Sequence, residues 1–282
     1  MNTIEVKGLT KKYTDFCLDN IELALPTGSI LGLVGENGAG KSTIINLIMN
    51  AIKSDSGQIS VLGIDNQSKE FNNVKNDIGI VLDEAYFPEV ITPKHVNVIM
   101  KNTYQNWDEK LYYEYINKFS LPLTKAFKNF SKGMKMKLAI AVALSHNPKL
   151  LILDEATSGL DPMVRDEILN IFNEFTRDET HSVLLSSHIV SDLEKICDYI
   201  AFVHKGKLIF CEEKDKLIEE YAIVKMSNSD FEVIPPEAIK GTKKSKFGVE
   251  ALVLKSNISS AIATEHTTLE DIILFLAKEG NN

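Results

Sequence analysis

The sequence lacks long apolar runs and contains few cysteines. No segment of the 282 residues approaches the roughly 18 to 20 consecutive apolar side chains that a membrane-spanning helix requires. Residues 1–10 carry charges where a signal peptide is apolar, so we expect a cytoplasmic chain. The cysteines, Cys17, Cys197 and Cys211, are odd in number and lack metal-type pairing, which predicts reduced and mostly structural thiols.

The chain also has fewer basic than acidic residues. The chain has 31 Lys and Arg against 39 Asp and Glu, a formal net charge of -8. Binding to nucleic acid needs clustered basic side chains that neutralise phosphates, so a general DNA or RNA partner is not expected. The remaining composition, 44% hydrophobic and 25% charged, is that of an ordinary globular protein with room for one large domain and a small appendage.

The apolar pattern predicts two kinds of strand. Residues 3–7 and 21–25 alternate between apolar and polar side chains, as half-buried strands do. Ile30 to Val34 is instead almost continuously apolar, as in a strand buried on both faces, and a glycine loop and a helical pattern follow it. Leu150 to Leu153 and Val183 to Leu185 are similar runs with an amphipathic helix between them, which predicts a parallel sheet with right-handed crossovers.

The middle and the end of the chain differ from this pattern. Tyr86 to Phe130 is rich in aromatic residues and helical in pattern after Thr92-Pro93. Two interpretations stay open for it, the core of a small helical subdomain or a docking surface for a partner. From about Lys214 the signals weaken, and we predict a small accessory module with a solvated lysine-rich loop at Lys240 to Lys246 and a helix at Thr268 to Lys278.

The most specific motif is a glycine-rich loop that ends in Lys41 and Ser42. It lies between the predicted buried strand and a helix, as a phosphate-binding loop must. Glycines let backbone N–H groups turn toward anionic oxygens, and the helix dipole adds to the attraction. Lys41 is expected to hold the β- and γ-phosphates, and the Ser42 hydroxyl to bind Mg²⁺. The residues predicted to bind nucleotide here are Gly35, Asn37, Gly38, Ala39, Gly40, Lys41, Ser42 and Thr43.

A second strand ends in two acids, Asp154 and Glu155. The carboxyl ends of parallel strands lie beside the nucleotide crevice of such sheets. There Asp154 can anchor Mg²⁺, and Glu155 can take a proton from the attacking water. The alternative is a helix N-cap with an exposed neighbour.

With Ser158-Gly159-Leu160-Asp161-Pro162 and then His188 at the end of the next apolar run, the chain resembles the ABC ATPase family from its N-terminus to about Phe210. The resemblance implies an α/β fold: a P-loop NTPase parallel sheet core with an N-terminal antiparallel β region, an inserted helical subdomain and a small C-terminal accessory α/β module. It also implies that the segment after the acids is the D-loop at a dimer seam and that His188 contacts the γ-phosphate as a switch. We predict an ATPase domain over 1–213, with the helical subdomain at about 86–147, and the accessory module over 214–282.

The family places a signature motif at a helix start, where this chain has Phe130-Ser131-Lys132-Gly133-Met134. Ser131 and Gly133 match the usual Leu-Ser-Gly-Gly-Gln, which implies contact with the γ-phosphate of ATP held by the opposing subunit. Lys132 and Met134 depart from it. Lys132 either adds charge to the phosphate or joins a solvated face with neighbouring lysines, namely Lys125, Lys128, Lys135 and Lys137.

Two further positions follow from the resemblance. Asp83 stands where the family usually has glutamine, and a carboxylate near the γ-phosphate is repelled unless a cation lies between them. We therefore expect Asp83 to bind Mg²⁺ or to turn away when the metal is absent. Tyr13 matches the aromatic residue that stacks on adenine in relatives, although it is also a plausible strand-end tyrosine.

Asp83 and the altered signature resemble the ATPase subunits of bacterial ABC-2 type exporters of antimicrobial peptides and drugs. This resemblance implies an Mg-dependent ATPase that pairs with a second ABC ATPase subunit, as a homo- or heterodimer. It also implies attachment to the cytoplasmic face of the membrane through integral membrane permease subunits. The alternatives are a non-transport ABC ATPase in DNA maintenance or translation, and a regulatory ATP-binding subunit. The chain has neither the long insertion nor the tandem cassettes of the first, and it keeps the acid that the second would lose.

Overall fold

A computed structural model of the chain describes residues 1–83, 87–246 and 248–279. The strands are β1 (Asn2–Lys12), β2 (Cys17–Pro26), β3 (Ile30–Val34), β4 (Ser56–Val61), β5 (Ile64–Asp65), β6 (Ile78–Val81), β7 (Leu150–Asp154), β8 (Ser182–Ser187), β9 (Tyr199–His204), β10 (Lys207–Glu213), β11 (Tyr221–Met226), β12 (Ile239–Ser245) and β13 (Gly248–Leu254). The α-helices are α1 (Lys41–Ile48), α2 (Phe71–Val74), α3 (Pro93–Lys101), α4 (Glu109–Lys118), α5 (Lys132–Leu144), α6 (Pro162–Phe175), α7 (Val190–Ile196), α8 (Lys214–Glu220) and α9 (Leu269–Glu279).

The central sheet has the strand order β10-β9-β3-β8-β7-β6. All neighbours in it are parallel except β10, which forms an antiparallel hairpin with β9. Every residue of β3, β7 and β8 is buried, which explains why each strand contains a continuous apolar run rather than an alternating pattern. The predicted parallel core is confirmed.

The parallel strands bring their carboxyl ends to one edge of this sheet. Val34 pairs with Ser187, Asp154 with Ser186, and Val81 with Leu153. Whatever follows β3, β6, β7 and β8 therefore meets at this edge, which is where ligands bind in open α/β sheets.

The N-terminal antiparallel sheet, in the order β2-β1-β4-β5, shares an apolar core with β3 and α1. The β9–β10 turn joins it to the loop before α1. Gly206 accepts a hydrogen bond from Asp19 N at 2.9 Å, and its own N–H donates to Ala39 O at 3.1 Å. A Cβ at Gly206 would lie 1.9 Å from the carbonyl oxygen of Cys17, and φ is +78°, so no side chain fits this junction.

Helices α3, α4 and α5 follow β6 and form the helical region. Tyr112 is fully buried among them, and its hydroxyl donates to Pro93 O at 2.9 Å. Burial raises the pKa of the Tyr112 hydroxyl far above its ordinary value. The buried aromatic residues support the interpretation as a core; they are Tyr112, Phe119, Phe127 and Phe130. Tyr86, the predicted start of the region, lies outside the described residues.

The C-terminal part contains α8, the antiparallel sheet β11-β13-β12 and α9. The segment Lys240 to Lys246 was expected to be a loop, and this is wrong, because β12 covers most of it. The lysines are suited to this place since β12 is an edge strand, where charge prevents further pairing. The predicted boundary at Glu213 and Lys214 falls between β10 and α8, and the division into domains stays a prediction.

The cysteines are free in the structure. Cys197 is buried, and desolvation raises the pKa of its thiol strongly; burial also raises the pKa of the Cys211 thiol. Among the described residues, no helix has both the length and the apolar character needed to cross a bilayer.

Candidate functional site

The glycine-rich loop connects β3 to α1, as predicted. Gly40, the residue before α1, has φ +115°, and a Cβ there would lie 2.6 Å from Leu18 Cδ2 and 2.9 Å from Phe16 Cζ. The loop therefore turns tightly against the N-terminal sheet. Its glycine conformations expose backbone N–H groups at the N-terminus of α1, which suits an anion.

Lys41, Glu155 and His188 form one cluster at this loop. Lys41 is 5% exposed and its Nζ donates to Gly35 O at 2.8 Å. The same Nζ lies 3.3 Å from Glu155 Oε1, an ionic contact, although Oε1 receives no hydrogen bond from the described residues. The other carboxylate oxygen, Oε2, lies 2.6 Å from His188 Nδ1. The three residues predicted from separate motifs are thus brought together.

The backbone of Glu155 is unusual. Its φ is +50°, in the left-handed region that a residue with a side chain enters at a cost of about 1 kcal/mol or more. Its N–H donates to Ser186 O at 3.1 Å, which holds the turn against β8. The strained turn aims the carboxylate across the end of the sheet toward Lys41.

Asp154 ends β7 and is 5% exposed. Ser186 donates its hydroxyl hydrogen to Asp154 Oδ1. Sequence reasoning missed Ser186, although its place in the run before His188 could have indicated it. The bond orients the carboxylate, leaving its remaining lone pairs for another ligand.

Asp83 is exposed and lies two positions beyond β6, the strand that pairs with β7. It is therefore at the same sheet edge as Asp154. Ser42 follows Lys41 in the first turn of α1 and is also exposed. No group of three or more His, Cys, Asp or Glu forms a metal cage within the part of the chain that the structure describes.

The signature segment lies at the start of α5. Ser131 is the N-cap, and its hydroxyl accepts a hydrogen bond from Met134 N at 3.2 Å. Gly133 faces the start of α6, since a Cβ there would lie 3.5 Å from Val164 Cγ1. The signature and the D-loop are therefore neighbours within one chain.

The lysines near the signature differ in their surroundings: Lys125, Lys128 and Lys132 are exposed, whereas Lys135 and Lys137 are half-buried, so both interpretations of Lys132 stay open. Lys132 lies over the D-loop, because a Cβ at Gly159 would be 2.7 Å from its Nζ. Lys135 lies over the Phe127 ring, with Nζ 5.0 Å from the ring centroid. Lys137 pairs with Glu167 at 2.7 Å.

Tyr13 is in the β1–β2 turn and is 48% exposed. Its ring centroid lies 6.4 Å from that of Phe16, and Lys11 Nζ lies 5.7 Å from it. Phe16, which sequence reasoning missed, touches the loop at Gly40. Together with Asp15, Gly38 and Lys205 it lines a cavity of about 540 Å³ beside the phosphate loop. The sequence could have indicated Phe16, since it is an aromatic residue directly before β2.

A partly buried ion pair links helices α6 and α7 beside the site. Arg165 Nε lies 3.9 Å from Asp192 Oδ2, and the Arg165 guanidinium donates to Leu160 O in the D-loop at 3.3 Å. Asp192 is 5% exposed and belongs to α7, directly after the His188 segment. The pair therefore ties the D-loop helix to the helix behind His188. Neither residue stands in a motif that sequence reasoning used.

A family model described as "ABC transporter" matches residues 18–158. The chain belongs to the ABC transporter family. As an ABC cassette it is an ATP-binding subunit, and its family implies ATP hydrolysis.

Two relatives and one solved structure illustrate the match. The ABC transporter ATP-binding protein YtrB of Bacillus subtilis (strain 168) is 31% identical over 225 residues, 79% of this cassette and 76% of YtrB. The lantibiotic transport ATP-binding protein SrtF of Streptococcus pyogenes is 33% identical over 215 residues, 75% of this cassette and 91% of SrtF. A solved structure of the ATP binding subunit of an ABC transporter has a TM-score of 0.69 at 28% identity, covering 77% of this cassette and 92% of that chain. These relatives favour a transport subunit over a DNA or translation ATPase.

Proposed function

We propose that this cassette is an Mg²⁺-dependent ATPase that works with a second cassette and powers export of a peptide, drug or other amphipathic substrate through separate membrane subunits. The observation that carries the proposal is the cluster of Lys41, Glu155 and His188 at the phosphate loop. It unites a phosphate cation, a general base and a switch residue at the end of one sheet.

ATP is the substrate that this loop suits. Backbone N–H groups from Gly38 to Thr43 would hold the phosphates, and Lys41 would supply the positive charge. Tyr13 and Phe16 lie on the side of the loop where the N-terminal sheet meets it, so we place the adenine there.

The donor set at the sheet edge fits Mg²⁺. Asp154, Ser42 and Asp83 offer only oxygens, the ligands that this ion prefers. Mg²⁺ usually takes one or two carboxylates together with substrate phosphates and water, so these few protein oxygens are enough to hold it. When bound, Mg²⁺ neutralises charge on the phosphates. Of these donors, Asp154 receives a hydrogen bond from the Ser186 hydroxyl, which orients its carboxylate.

Hydrolysis requires the Lys41–Glu155 contact to open. The γ-phosphate attracts Lys41 away from the carboxylate, and Glu155 is then available to accept a proton from the attacking water. The Nδ1 of His188 lies within hydrogen-bond distance of Glu155 in the resting arrangement, and a ring N–H turned toward the γ-phosphate would donate to it. His188 thereby reports whether the γ-phosphate is present.

The second cassette completes the site. Membership of the ABC transporter family supports a second cassette and membrane subunits as partners. Ser131, Gly133 and the N-terminus of α5 supply a hydroxyl and amides that suit the γ-phosphate of ATP on the opposing cassette. We therefore propose a sandwich of two cassettes with the phosphate loop of each facing the signature of the other.

The transport role rests on similarity to SrtF, a lantibiotic transport ATP-binding protein by name. The membrane subunits would hold the cassette at the cytoplasmic face. Purification of the native complex from membranes, with identification of the bound subunits, tests this. Co-purification with integral membrane proteins of exporter type is the expected result. Recovery of the active cassette only with DNA-repair or ribosomal proteins would contradict the proposal.

Asp83→Asn tests the metal assignment. The substitution removes a charge beside Asp154, so the Mg²⁺ concentration for half-maximal ATPase activity should rise severalfold, more than the ATP requirement does. Titration of each component at saturating levels of the other separates the two effects. Exposed Asp215→Asn in α8 serves as the control and should leave both titrations unchanged. An unchanged Mg²⁺ titration for Asp83→Asn would remove this residue from the metal site.

A further inference from the structure

An apolar pocket of about 370 Å³ lies between the C-terminal helix α9 and the phosphate loop. Its lining includes Val190 and Phe202 of the ATPase part and, from α9, the apolar Ile273 and Leu274 together with the charged Glu270. Residues of the nucleotide site reach the same pocket, namely Glu36, Asn37 and His188. The C-terminal part of the chain therefore borders the ATP site itself.

Helix α9 is held firmly in this position. Leu269 and Ile272 are fully buried and belong to the same apolar core as Leu193 and Ile196 of α7. The first N–H of α9, from Leu269, points to Glu194 Oε1 of α7 at 3.5 Å. Because α7 follows His188 directly, α9 and the switch histidine are parts of one packed unit.

The outer side of this unit remains open to solvent in the single chain. Leu274 is 52% exposed at the pocket, while Ile273 beside it is 8% exposed. Asn37 of the phosphate loop lines this pocket, and in the proposed sandwich that loop faces the opposing cassette, so the pocket lies beside the same seam. An exposed apolar side chain at such a place is suited to an interface.

The chain also carries an apolar side chain that suits this pocket. Met163 is 84% exposed, in the first turn of α6. It follows the D-loop, whose Asp161 accepts a hydrogen bond from Val164 N at 3.0 Å and so fixes the start of the helix. Lys132 covers Gly159 on the other side. Met163 thus stands at a well-defined position beside the seam, and a flexible thioether side chain fills irregular apolar space well.

We infer that this pocket receives Met163 of the partner subunit, a second copy of this chain, when ATP closes the dimer. The inference rests on the proposed sandwich and adds α9 to its interface. Two-fold symmetry makes the contact occur twice, once on each side of the axis. The C-terminal helix then joins His188 of its own chain to the D-loop helix of the other, so ATP-driven closure and the C-terminal module are coupled.

Crosslinking tests the contact directly. Met163→Cys and Leu274→Cys are combined in a full-length Glu155→Gln chain, which is expected to hold an ATP-bound dimer, and an oxidant is added with and without Mg-ATP. The expected result is a covalent dimer that depends on ATP and exceeds the background from the native cysteines. The matched control pairs Met163→Cys with Val233→Cys, since Val233 is 71% exposed in the same C-terminal part but away from the pocket lining. It should stay at background.

A charge exchange gives an independent measurement. Leu274→Glu should weaken the ATP-dependent dimer by about tenfold or more, because it removes apolar contact and brings a charge to the seam. Adding Met163→Lys in the same chain should restore much of the affinity, whereas Val233→Glu should change nothing. Both positions are exposed, so the single chains should fold, and circular dichroism checks this.

Native mass spectrometry distinguishes failure of the α9 contact from failure of the ATP-dependent dimer. If ATP produces a dimer but the Met163–Leu274 pair neither crosslinks above the control nor shows charge rescue, the inference about α9 is overturned and the sandwich stands. If ATP produces no dimer of this chain at all, the sandwich of two copies and the α9 contact are both overturned.

Discussion

Glu155→Gln should bind ATP and lose turnover by about 10² to 10⁴, the usual scale for loss of a positioned general base. The amide has nearly the same shape as the carboxylate but does not accept the proton of the attacking water. It also ends the ionic contact with Lys41, whose Nζ lies 3.3 Å from Oε1, so Lys41 becomes freer to meet phosphate. ATP affinity should therefore stay at the parental level or rise, and an ATP-bound dimer should accumulate.

Phosphate release and the binding of a fluorescent ATP analogue measure the two effects separately. Glu219→Gln, an exposed substitution in α8, is the matched control and should keep the parental rate. Hydrolysis by Glu155→Gln at nearly the parental rate would show that another group acts as the base. Loss of ATP binding would show instead that the Lys41–Glu155 pair organises the loop.

Lys41→Ala and Ser131→Arg should each abolish activity as homodimers, and a mixture of the two should recover part of it. Lys41→Ala removes the buried phosphate cation. Ser131→Arg forces a bulky side chain into the seat of the γ-phosphate. In a mixed dimer one site collects both lesions, while the other has an intact phosphate loop and an intact signature. Each mixed dimer has one intact site where the parental dimer has two. Its rate of ATP hydrolysis per dimer should therefore approach a substantial fraction of half the parental rate.

Ser131→Arg also removes an N-cap, because the Ser131 hydroxyl accepts a hydrogen bond from Met134 N. Loss of this cap should lower the free energy of unfolding by about 1 kcal/mol. Ser131→Asn keeps a capping oxygen with less bulk and controls for this effect. Native mass spectrometry should first confirm mixed dimers with ATP. Mixed dimers as inactive as their parents, together with an inactive tethered dimer that carries one wild-type site, would mean strict cooperativity between sites. If that tethered dimer is active and the mixed dimers are not, shared sites are contradicted.

The sequence by itself predicted the parallel sheet core and the residues that the fold brings together at the phosphate loop. Buried parallel strands require apolar side chains on both faces, so β3, β7 and β8 were visible as continuous runs. The phosphate loop, the acids after β7 and the histidine after β8 stand at strand ends, and parallel strands must bring such ends to one edge. The positions of the motifs at strand ends were therefore enough to predict that Lys41, Glu155 and His188 lie close together.

The tertiary structure decided what depends on contacts between distant segments. The left-handed turn at Glu155, the bond from Ser186 to Asp154 and the packing of Phe16 on Gly40 have no local pattern, because each needs two strands or loops to meet. Lys240 to Lys246 looked like a loop because strand pairing by an exposed edge leaves no apolar alternation in the sequence. The position of α9 beside His188 was equally hidden: its apolar face indicates burial, but only the folded chain decides against which surface an amphipathic helix packs.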